Sequence, residues 1–208
     1  MIAVLGTALT LFGLGIVLNR PKVVGQDRFD LADYPGFLPG LAVSALLATT
    51  LYRYVGHRLG TREPIAWLLL LSVGIILSAT LTPGADAFLP TTGSSTCDIS
   101  RIGLAPIASY LTFGTTSLNV ILFVPLGILI ALLPHSRATA FAIIGAALLP
   151  VAIESIQLAA TPLGRACQAA DVIDNMLGLA LGFAAGWTCL WVSRRASKQP
   201  RRGTSPSG

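Results

Sequence analysis

The stretch from 65 to 82 carries no charged side chain, and it is one of six apolar stretches, each long enough to cross a bilayer as a helix. In hydrocarbon no water is present to satisfy backbone N–H and C=O groups, so a spanning segment is a helix or part of a closed barrel. These stretches are helix-length and lack the alternation of barrel strands. They lie at 1–18, 36–52, 65–82, 117–133, 140–159 and 171–193. The expected fold is therefore all-α, a polytopic membrane bundle of about six transmembrane helices. Only 11% of the residues are charged, against about a quarter in soluble domains, and the deficit runs along nearly the whole chain.

The stretch at 1–18 has neither a basic start nor a small-residue cleavage site, so it reads as a retained span. Residues 102–116 are apolar but interrupted by Gly103, Pro106 and Gly114. They suit an interfacial or re-entrant piece better than a full crossing. Residues 1–193 read as a single integral membrane domain, and 194–208 as a disordered basic cytoplasmic tail. No internal repeat is apparent, and the charged groups gather at one face rather than at mid-bilayer, which disfavours a transporter.

With six spans, the loop at 53–64, the turn at 134–139 and the tail share one side. They hold nine of the fourteen basic residues and one of the nine acidic ones, Glu63. The positive-inside rule places that side, with both termini, in the cytoplasm. The net charge of +5 then reports topology and not nucleic-acid binding.

The same topology gathers Asn119, Glu154, Gln157, Arg165, Asp171, Asp174 and Asn175 at the outer ends of their helices. Ionisable groups in spanning helices cost at least ~2.5–3.5 kcal/mol at mid-bilayer, so they face a polar cavity or a partner. Glu154 is the candidate acid or base and Asp171 the candidate second carboxylate. Asn119, Gln157, Arg165 and Asn175 are candidate ligand contacts. Equally, Glu154, Arg165 and Asp171 could form a structural ion-pair network, and Asn119 and Asn175 could hydrogen-bond between helices. Asp174 reads as a cap or as reaching toward the outer interface.

Gly178, Gly182 and Gly186 form a small-residue ridge for helix packing. Pro125 and Gly127 mark a helix kink and belong to the same packing set. Cys97 and Cys167 both fall in outer loops, where a disulfide between them would persist. Cys189 reads as a packing residue within the last span. No metal set is expected, and no hydrolase, nucleotide-binding or metalloprotease motif names a cofactor.

Read in order, Asn119 to Gly127 (NVILFVPLG), Glu154 to Gln157 (ESIQ), and Arg165, Cys167, Asp171, Asn175, Gly178 and Gly182 resemble the VanZ-like family of bacterial membrane proteins. The resemblance covers residues 117–187. It carries over to Asn119, Phe123, Pro125, Gly127, Glu154, Gln157, Arg165, Asp171, Asn175, Gly178 and Gly182. The chain departs from the family in having Gln168 and Ala170 where further acidic residues are usual, and Asp174 where an apolar residue is usual. That family is named for a member associated with teicoplanin resistance. The resemblance implies a cell-envelope role in the bacterial cytoplasmic membrane and no defined reaction. The expected partner is a membrane lipid or lipid-linked envelope precursor in an outer polar pocket. The alternatives are an enzyme using Glu154 on a lipid-linked substrate and a purely structural protein.

Overall fold

A computed structural model describes residues 36–83, 96–160 and 166–198. The expected first span at 1–18, the end of the tail and Arg165 lie outside the described residues. Among the described residues six helices follow in order: α1 (Phe37–Leu59), α2 (Glu63–Leu81), α3 (Ile107–Leu111), α4 (Thr115–Ala131), α5 (Arg137–Ala159) and α6 (Ala169–Lys198). The expected span limits fall within a few residues of these at most ends. The exceptions are α1, which continues from 52 to Leu59, and α6, which continues from 193 to Lys198. Residues 194–198, expected to open a disordered tail, are therefore the last turn of a helix. No proline or glycine interrupts the chain until Pro200, so nothing local stops it sooner.

Among the described residues three helices, α2, α5 and α6, are long and apolar enough to cross a membrane, and α4 is a shorter apolar helix of 17 residues. This is a membrane protein built as a helical bundle. The 102–116 stretch holds α3, five residues long and far short of a crossing, and then the first two residues of α4.

Local signals explain the helix ends. α1 stops at Gly60, whose left-handed backbone (φ 62°) suits a residue without Cβ. Thr61 N–H then closes the turn on Gly56 O at 2.9 Å. Pro64 sits in the first turn of α2, where its missing N–H costs nothing. Ser136 caps α5 by accepting from Thr139 N–H at 3.1 Å.

Helix pairing follows from where glycines lie. A Cβ on Gly36 would meet Thr82, on Gly40 Ser78, and on Gly74 Ser44, so each pair of numbers sums to 118. A constant sum means α1 and α2 run antiparallel. A Cβ on Gly178 would meet Val120, on Gly182 Val124, and on Gly186 Ile128, a constant difference of 58. A constant difference means α4 and α6 run parallel, with α5 returning between them. Gly127 completes this interface from α4, facing Leu179 O and Phe183 N. Pro125 lies within α4, half-buried.

The apolar core joins Leu69 and Ile76 of α2, Phe123, Leu126, Leu129 and Ile130 of α4, and Ala146 and Ile153 of α5. Cys189 is exposed on α6 and does not pack in the core, contrary to the sequence reading. The register sets one end of the bundle at the α1–α2 and α4–α5 turns, where Gly60 lies beside Pro134. Arg58, Arg62, Arg137, Arg194 and Arg195 gather there, with the Arg195 guanidinium 3.6 Å above the Trp191 ring. The opposite end holds the starts of α1, α4 and α6 and the ends of α2 and α5.

Candidate functional site

At that opposite end, residues 96–106 are tied onto the junction between α5 and α6. Cys97 and Cys167 are bonded, with their Cα atoms 4.6 Å apart. Asp98 N–H donates to Cys167 O at 2.8 Å, and Ala169 N–H donates to Asp98 O at 2.9 Å. The second bond serves one of the amide donors that a helix start leaves without an intrahelical partner. Asp98 also accepts from Ser100 N–H at 2.8 Å, and that bond holds its carboxyl below the usual range.

Three residues further on, Arg101 grips Asp174 with both terminal nitrogens, one of them 3.2 Å from Oδ1. The same guanidinium donates to Gly103 O at 3.0 Å. Tyr110, from α3, donates to Asp174 Oδ1 at 3.1 Å and accepts from Ala105 N–H at 2.9 Å. Asp174 is 0% exposed. A buried carboxylate is tolerated only when paired and hydrogen-bonded, and here it has three donors. In return, Asp174 raises the Arg101 pKa, so this guanidinium stays charged. Asp174 neither caps α6 nor reaches toward the interface, as the sequence suggested. It is the anchor of the preceding loop.

Glu154, 5% exposed near the end of α5, accepts from Gln168 N–H at 2.8 Å through Oε2. It therefore sits at the positive end of the α6 dipole, where a carboxylate is favoured. Asp171, in the first turn of α6, is close enough for its charge to act on that of Glu154. Gln157 is turned toward α2 and donates to Thr80 O at 2.8 Å, serving a carbonyl in the last turn of that helix. Ser117, buried in the first turn of α4, bonds Gly114 at both N–H and O.

Asn175 differs from its neighbours. It is 1% exposed, and its Oδ1 has no hydrogen-bond partner. The offset of 58 sets it level with Ser117 and sets Asn119, half-buried on α4, level with 177. Glu154, Gln157, Asp171 and Asn175 thus share one end of the bundle with Asn119. Among the described residues, no three His, Cys, Asp or Glu side chains are grouped to hold a metal ion.

Sequence reasoning missed Arg101 and Tyr110 altogether and misjudged Asp174. A signal for them existed. A carboxylate one turn inside an apolar helix needs a cation, and the 96–106 loop offers one in Arg101. Arg165 drew attention because it is nearer in sequence to Glu154 and Asp171.

No curated protein and no solved structure matches the chain. A family model, VanZ/LLP1, matches residues 65–191. The match begins well before 117, so it takes in α2, Arg101 and Tyr110 as well as the last three helices. Covering more than half of the sequence, it shows that the chain belongs to the VanZ/LLP1 family.

Proposed function

We propose that the protein binds the head group of an envelope lipid or lipid-linked cell-wall precursor at the end of the bundle where α4 and α6 begin. That end faces outward from the bacterial cytoplasmic membrane, because the arginines collect at the other. The observation that carries this reading is the unpartnered Oδ1 of Asn175 at 1% exposure. An unmet buried carbonyl costs about 1–3 kcal/mol, which a hydroxyl, amide or ammonium donor on a ligand would recover. Glu154 and Asp171 bring charge to the same end of the bundle, Arg165 is added on its place in the sequence alone, and a link to glycopeptide (teicoplanin) resistance belongs to the same reading.

The test is native mass spectrometry of detergent-purified protein, with wild type beside Asn175→Leu, Glu154→Gln and Arg165→Ala. A specific co-purifying envelope lipid should be lost in Asn175→Leu while the thermal midpoint is kept, since leucine removes the unmet acceptor. Retention of the lipid by Asn175→Leu rejects the proposal.

A second reading is favoured by Glu154 and Gln157, whose side chains serve the ends of neighbouring helices. In it the polar set holds the bundle together and binds nothing. It expects no specific lipid on the wild type and a lowered thermal midpoint in Glu154→Gln.

A further inference from the structure

Between 99 and 113 the usual arrangement of a surface loop is inverted. Its polar anchors point inward, with Arg101 and Tyr110 both on buried Asp174. Its large apolar side chains point outward. Ile102 and Ile107 are each 77% exposed and Leu111 82%, and Ile99, Leu104 and Phe113 are also exposed. In water this would be a costly apolar patch on a rigid support. The segment cannot readily turn over to hide it. The disulfide, the two backbone bonds of Asp98 and the Arg101–Asp174 pair fix it to α6.

Charge decides what covers it. Arg101 is the only charged residue from 99 to 113, and its charge is matched by Asp174, so the segment presents no net charge outward. The segment ends at the start of α4, so it lies at the edge of the apolar flanks of the bundle. There Val151 and Ile156 of α5 and Met176 and Leu181 of α6 are likewise exposed. α3 is a single short helix of five residues, about 7.5 Å long, far too short to cross a leaflet.

We infer that residues 99–113 are an interfacial anchor, immersing Ile102, Leu104, Ile107 and Leu111 in the acyl-chain border of the leaflet at the Asp174 end. The partner surface is lipid hydrocarbon. The inference concerns the loop alone and stands whether or not a ligand occupies the Asn175 region.

The test uses a nitroxide at Leu111→Cys in a Cys189→Ser background, reconstituted into phosphatidylcholine–phosphatidylglycerol vesicles. Its collision rates with oxygen and with a water-soluble nickel chelate are measured by electron paramagnetic resonance. References are Leu148→Cys on the exposed flank of α5 and His135→Cys in the α4–α5 turn. Leu148 is at the middle of α5, so the oxygen-to-chelate ratio at 111, at the border, should lie below that at 148 and well above that at 135. A ratio matching 135 places the loop in water and overturns the inference. Low collision with both reagents places it under protein and overturns it equally. Ile107→Cys serves as a second probe should Leu111→Cys fail to fold.

Discussion

The two tightest helix pairs in this bundle are built on different terms. In α1–α2 a glycine on one helix faces a serine on the other: Gly74 against Ser44, and Gly40 against Ser78. The Ser44 and Ser78 hydroxyls lie 3.3 Å apart across the seam. In α4–α6 glycines face backbone. A Cβ on Gly178 or Gly182 would come within 2.1 Å of a carbonyl oxygen on α4, and one on Gly127 within 2.2 Å of a carbonyl on α6. Side chains can be exchanged to relieve crowding, whereas a backbone carbonyl cannot. The antiparallel hairpin therefore has an adjustable seam. The parallel pair, whose members are separated by the whole of α5, has a seam that only glycine fits. Without a strong hydrophobic force between helices in lipid, such close approach is what holds them.

That contrast can be broken by substitution. Gly182→Val should have the largest effect, exceeding the roughly 3 kcal/mol at the top of the usual overpacking range. The expected outcome is loss of a monodisperse peak on size-exclusion chromatography, with no rescue by any change at Val124. Next comes the head of the same pair. Arg101→Ala leaves Asp174 buried and unpaired and should cost about 3–5 kcal/mol, read as a lowered unfolding midpoint in detergent. Asp174→Asn combined with Arg101→Ala should recover part of that loss, because the stranded charge is gone.

Gly74→Ala on the antiparallel seam should cost about 1–3 kcal/mol. Adding Ser44→Gly should restore most of it, since the crowding atoms are Cβ and Oγ of Ser44. Failure of that rescue would erase the distinction between the two seams. The smallest change is expected at Gly145 of α5, where a Cβ meets nothing within 4 Å. Gly145→Ala should be neutral or stabilising by up to about 1 kcal/mol.

How far these features could be read in advance depended on their range. Apolar length located the helices, because hydrocarbon requires every backbone bond to be made within the segment. The spacing of Gly178, Gly182 and Gly186 marks a packing face, but periodicity cannot name the helix that meets it. Gly127 shows the partner only once the parallel register is known. The partner of Asp174 escaped notice for a similar reason. Arg165 is close to Asp171 along the chain, whereas Arg101 is 73 residues from Asp174, and only the folded loop brings those two together. For Gln157, nothing local reveals that Thr80 O, 77 residues away, lies within its reach.

The bond between Cys97 and Cys167 closes a ring of chain with a sequence separation of 70, and α3, α4 and α5 lie wholly inside it. Pulling on the two ends of the molecule would transmit force through the bond and leave the ring slack. In a single-molecule unfolding trace the oxidised protein should therefore fall short of the reduced one by roughly 240 Å of contour, at about 3.4 Å per residue. Half the bundle is mechanically silent while that one bond is intact.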